Sequence, residues 1–106
     1  MKNNFVSAIH KKQKIYLTFN SIDDGAIIKR TCAPLDFGPC VRNELKNNGY
    51  LFWDYESEEK NRILYLNSYQ IINIEISDEN FDPAEFVTWN TKTSPWQIKR
   101  NWGLYS

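Results

Sequence analysis

The sequence is short of the residues that most often carry chemistry. Its 106 residues include two cysteines, one histidine, one methionine, four glycines and four prolines, and the net charge is zero. Two thiols, Cys32 and Cys40, are too few for a disulfide scaffold. Both are expected reduced, Cys32 on a strand and Cys40 in a loop. A lone imidazole, His10, leaves no Cys/His cluster with the spacing of a tetrahedral zinc site, so neither metal nor cofactor is expected. No apolar run approaches the roughly 18 residues that span a bilayer, which excludes a helical membrane anchor from the reading. The opening Met1-Lys2-Asn3-Asn4-Phe5 brings charge without an apolar stretch behind it, so a cytoplasmic location is expected. Thirteen basic side chains cancel thirteen acidic ones, which removes the simplest mark of a nucleic-acid binder, a strongly basic domain.

What is present is a globular composition, with 42% apolar and 15% aromatic residues. The length suits one domain with one modest core. Neutrality hides an asymmetry along the chain: residues 1–42 sum to +4, residues 43–82 to −6 and residues 83–106 to +2. In a small domain such segments fold over one another, so internal ion pairing is the first meaning and a bipolar surface the second.

Periodicity divides the chain. Phe5, Ala8 and Ile9 recur at helical spacing within Asn3 to Lys12, with Asn3 or Asn4 available as N-cap and lysines at the C-terminal end. From Lys14 the period becomes two, and Ile15, Leu17 and Phe19 mark a strand with one buried face. Asp23-Asp24-Gly25 supplies turn chemistry, and Ala26 to Ala33 returns as a second strand that Pro34 is expected to end. Residues 35–48 read as a long loop, with one helical turn over Val41 to Lys46. Gly49 to Tyr55 is a third, strongly aromatic strand and Arg62 to Leu66 a fourth. Gln70 to Ile76 is a fifth, with Ile72, Ile74 and Ile76 facing one way and Asn73 and Glu75 the other. Asp82-Pro83 opens a short helix, and Trp89, Trp96 and Trp102 follow in the tail.

Five short antiparallel strands cannot leave their edges bare, and closing into a small barrel solves that problem. The expected fold is therefore mainly β: a five-stranded antiparallel SH3/Sm-like barrel with a short N-terminal helix and an aromatic C-terminal tail. It forms one domain over residues 1–106, with the helix in 1–13, the barrel in 14–77 and the short helix and Trp-rich tail in 78–106.

Catalysis finds little support. His10 sits near a helix end among lysines, Cys40 has no second imidazole to deprotonate it, and Asp23/Asp24 and Glu58/Glu59 fall in turns. No glycine-rich phosphate loop is present, so the chain is not expected to be an enzyme. The aromatic residues say more. Tyr16, Tyr50, Phe52, Trp53, Tyr55 and Tyr65 fall on strands interleaved with Lys29, Arg30 and Arg62. Rings beside guanidinium groups hold unpaired bases, at about 1–3 kcal/mol per stacked base. The same rings also fill small cores. Alternation sets Leu51, Trp53 and Tyr55 against Tyr50, Phe52 and Asp54, so one set must face solvent, the tail or a ligand. The tail indoles pack on their own domain or on a partner, a second copy included.

The run Ala8-Ile9-His10-Lys11-Lys12-Gln13-Lys14-Ile15-Tyr16-Leu17-Thr18-Phe19, then Asp24-Gly25, Arg30 and Pro34, resembles the opening of WYL domains. Gly49-Tyr50-Leu51, Arg62, Leu66, the isoleucine strand and Phe81-Asp82-Pro83 resemble their second half. The resemblance implies an Sm/SH3-like barrel that senses a nucleic-acid or nucleotide ligand in bacterial transcription or defence regulation. Tyr50 and Leu51 match two letters of the name motif, and Gly49 stands where its tryptophan would be. Arg30 and Arg62 match two recurrent arginines, while Gln70 stands at the position of a later one. Arg30 and Arg62 are then expected to contact phosphate, with Tyr50 and Trp53 stacking on or lining the site and Lys29 and Tyr65 beside it. Expected partners are a single-stranded nucleic acid or nucleotide, and a second copy or a separate regulatory protein carrying any DNA-reading module.

Overall fold

In the computed structural model, residues 2–21, 25–39, 48–58, 62–88 and 96–106 are described. The turn at Asp23 and Asp24, Cys40, the helical turn over 41–46, Glu59 and Trp89 lie outside them. Helix α1 (Lys2–Lys11) buries Phe5, Ala8 and Ile9, as the spacing predicts. It starts earlier than expected, so Asn3 and Asn4 lie inside the first turn rather than capping it. Its end is firmly held. Lys12 turns left-handed at φ 53° and cannot continue the helix. The carbonyls left over accept from elsewhere: those of Lys11 and Lys12 from Asn80 Nδ2, that of Lys12 also from the Phe81 N–H, and that of Ile9 from the Trp102 indole.

The strands are β1 (Gln13–Asn20), β2 (Ile27–Pro39), β3 (Asn48–Asp54), β4 (Ile63–Asn67) and β5 (Ile71–Asn80). They form one antiparallel sheet in the order β4-β3-β2-β1-β5. The expected closure is not found: β4 and β5 are the two edges and share no ladder. Yet only the 3₁₀ turn Ser68–Gln70 joins them. Four residue steps reach at most about 14 Å, whereas the edges of a flat five-stranded sheet lie about 19 Å apart. The sheet must therefore curl strongly, bringing its edges towards each other without bonding them.

Two irregularities correct the expected strand pattern. Pro34 does not end β2, because a register shift against β3 between Pro34 and Asp36 absorbs its missing N–H. The strand runs on to Pro39, so the long loop loses its first five residues. In β5 a second shift sets Phe19 opposite Ile71 and Thr18 opposite Asn73. Ile72 is the extra residue, and it points outward with Asn73 instead of sharing a face with Ile74 and Ile76. Ile71 takes the buried place.

Each face of the sheet has its own cover. On the inner face Ile15, Leu17, Tyr50, Phe52, Leu66 and Ile74 are buried. Phe5 of α1 sets its edge on Tyr50 and Phe52, with centroids 4.9 and 5.4 Å apart. Over β3 the outer face is covered by the C-terminal segment. Trp53 stacks on Phe86 at 5.4 Å, and Phe81, Trp102 and Trp96 continue the chain of rings. Asp82 caps the turn Pro83–Glu85 as expected, accepting from the Ala84 N–H, although this element is a 3₁₀ turn.

Candidate functional site

Register places Arg30 opposite Leu17 and Cys32 opposite Asp54, so Arg30 lies on the inner face beside the Asp54 carboxylate. The Asp54 N–H bonds to the Arg62 carbonyl at 2.8 Å, extending the β3–β4 ladder by one step and setting Arg62 opposite Asp54. The two arginines therefore share one face and one end of the sheet, with Asp54 between them. Arg30 Nε is 3.8 Å from Asp54 Oδ2, and Arg62 donates from a terminal nitrogen to the Tyr55 carbonyl at 3.4 Å. These are the only polar contacts of the two side chains among the described residues.

Each acid of this cluster accepts one backbone N–H. Asp54 Oδ1 accepts from the Glu56 N–H at 2.9 Å, closing a tight turn, and Glu56 accepts from the Thr31 N–H. Both carboxylates are thus used to hold the β3–β4 turn and the β2 backbone. Among the described residues, most N–H donors of the two guanidinium groups have no partner. Such a pair of planar forks at a sheet end can bind an anion.

The remaining residues named from the sequence lie elsewhere. Tyr50 is 3% exposed in the core, its ring enclosed by Phe5, Phe37 and Phe52, and it has no face open to a ligand. Trp53 is on the outer face against Phe86. Lys29 is exposed on the outer face opposite Thr18. Tyr65 crosses over Gly49 and donates to the Gly38 carbonyl at 3.4 Å. A Cβ at Gly49 would fall on that ring and on the Leu66 carbonyl, so the close approach of Tyr65 requires glycine here. The structure brings Arg30 and Arg62 together and leaves the other four apart from them.

Sequence reasoning missed a second polar cluster. Asp36, just past the β2 bulge, accepts from the Gln97 and Ile98 N–H groups, both at 2.9 Å, and from Arg100 at 3.3 Å. The Arg100 side chain is 0% exposed. Its guanidinium lies over the Trp96 ring at 4.1 Å and the Trp102 ring at 4.5 Å, and donates to the Leu35 and Ile98 carbonyls. Burial pulls its pKa down to about 10 against the opposing field of Asp36, so it remains charged at neutral pH. This clasp fastens the tail to the sheet. Asp36 and Arg100 are 64 residues apart, and no periodicity connects them.

Among the described residues no helix is long and apolar enough to cross a membrane, and no three His, Cys, Asp or Glu side chains gather as a metal site. No family model, curated protein or solved structure matches the chain.

Proposed function

We propose that the chain is a non-enzymatic, WYL-like ligand-binding domain on an SH3/Sm-like roll, in which Arg30 and Arg62 hold the phosphate of a nucleotide or single-stranded nucleic acid. The observation that carries this reading is the donor balance around Asp54. Two guanidinium groups share one sheet end, and the nearby carboxylates are engaged by backbone N–H groups. Recognition is then electrostatic, since Tyr50 and Trp53 are committed to packing. A regulatory role in bacterial transcription or defence follows from the resemblance. Self-association through the tail is the weaker reading, because Trp96 and Trp102 already pack within their own domain.

The test is titration of a fluorescein-labelled oligothymidylate, with ATP and pyrophosphate as competitors, across a range of salt. Two phosphate contacts to a single strand give a slope of log K against log salt of about −1.4. Arg30→Ala and Arg62→Ala are each expected to flatten that slope by about 0.7 and to weaken binding about tenfold. Binding that ignores salt, or that both substitutions leave intact, refutes the assignment.

A further inference from the structure

Asp54 is the buried member of the arginine cluster: Arg30 and Arg62 are half-buried and Glu56 is exposed. The Asp54 side chain is 10% exposed. Its Oδ1 is turned to the Glu56 N–H at 2.9 Å. Its Oδ2 faces Arg30, whose Nε at 3.8 Å is beyond hydrogen-bond length. No described residue donates a hydrogen bond to Oδ2, so it lacks the donor that buried acceptors usually find.

This oxygen limits what an anion at the arginines must bring with it. Arg30 and Arg62 flank Asp54 on the inner face, so a phosphate held by both forks lies close to Oδ2. Two anionic oxygens with nothing between them repel. A ligand hydroxyl beside the phosphate ester supplies the missing hydrogen, donating to Oδ2 in a charge-assisted bond. Ribose has such a group, the 2′-hydroxyl on the carbon next to the one bearing the 3′-phosphate, and deoxyribose lacks it. In a 5′-nucleotide the hydroxyls lie across the sugar ring from the phosphate, which favours the internal phosphodiester of a strand.

We infer that Asp54 Oδ2 accepts the 2′-hydroxyl adjacent to the bound phosphate, which makes single-stranded RNA the ligand in preference to DNA. The inference rests on Arg30 and Arg62 holding phosphate as proposed above. Fluorescein-labelled oligouridylate and oligodeoxyuridylate of one length differ only in that hydroxyl, and each is titrated with the native chain across a range of salt. The ribose strand is expected to bind at least about tenfold more tightly. A 2′-O-methyl oligouridylate keeps the ribose pucker but cannot donate, and should bind like the deoxy strand. Asp54→Asn keeps an oxygen for the Glu56 N–H and turns its NH₂ group towards the ligand, so the ribose-to-deoxyribose ratio should fall to about one with the circular dichroism spectrum unchanged. If all three strands bind alike and the salt slope persists, the arginines hold phosphate and the 2′-hydroxyl assignment fails. Binding that ignores salt, or no binding, removes both. A 2′-O-methyl strand as tight as the ribose one, a preference that survives Asp54→Asn, or a variant that binds neither strand overturns the role of Asp54.

Discussion

Replacing Asp36 with alanine removes the acceptor that fastens the C-terminal segment to the sheet. The substitution deletes the counter-ion of Arg100 and frees the N–H groups of Phe37, Gln97 and Ile98. The Arg100 side chain is 0% exposed and Asp36 13%, so the pair lies in a poorly solvated setting. Breaking such a pair from one side costs about 3–5 kcal/mol, because a buried charge is left uncompensated. Asp36 keeps some contact with water, and Arg100 keeps two carbonyls and two indole faces, so the lower figure, about 3 kcal/mol, is expected. That is a large share of the roughly 5–15 kcal/mol that holds a domain together. In urea the midpoint should fall by about 1–3 M at an ordinary m-value. A cycle with Arg100→Met sharpens the test: once Asp36 is gone, removing the stranded guanidinium should recover stability. The double variant should therefore lose at least about 1 kcal/mol less than the two single losses together. A loss below about 1 kcal/mol for Asp36→Ala, or strict additivity, would refute the clasp as a stabilising unit.

Two further outcomes follow from the packing. Burial, with Asp54 and Glu56 nearby, raises the Cys32 thiol pKa well above its ordinary 9.0, and burial also raises those of Tyr55 and Tyr50. Above about pH 9 the unfolded chain releases these protons while the folded one keeps them, so stability is complete below that pH and falls above it. The Cys32 share is at most about 1.4 kcal/mol per pH unit. Urea midpoints measured from pH 7 to 10.5 should show the decline, and Cys32→Ala should flatten it; a curve unchanged by that substitution contradicts the assignment. Gly49→Ala should cost about 1–3 kcal/mol, since its methyl group meets the Tyr65 ring and the Leu66 carbonyl. Thermal unfolding of Gly49→Ala alone and with Tyr65→Ala separates the clash with the Tyr65 ring, which the second change relieves, from the contact with the Leu66 carbonyl, which it leaves.

The parts of the fold that rest on one strand or one helix were legible in the sequence. Ile15, Leu17 and Phe19 announce a half-buried strand, and Phe5, Ala8 and Ile9 a helix face, because burial imposes those periods directly. Alternation also showed that Tyr50 and Trp53 face opposite ways. Which of them joins the main core depends on where α1 lands, and no local pattern records that. Features made by one strand against another were hidden. Ile72 leaves the isoleucine face only because β5 has one residue more than β1 opposite Thr18 and Phe19. Pro34 reads as a strand terminator until the bulge removes its need for an N–H donor.

The candidate site divides along the same line. Arg30 and Arg62 could be named as residues, but their shared end of the sheet comes from register carried across three strands. Net charge misleads at this scale as well. The overall balance is zero, and Asp54 and Glu56 sit within the arginine cluster, so a count of charges predicts a neutral end with no call on an anion. The hydrogen bonds change the number of free acceptors in the cluster and leave its charge as it is. A carboxylate that accepts a backbone N–H has given up part of its capacity to satisfy a guanidinium, and Asp54 and Glu56 both do so. Arg100 is the contrasting case within the same molecule. Its fork is filled by Asp36, two carbonyls and two indoles, and it serves the fold. Arginines of equal formal charge thus differ in how many of their donors the described residues fill.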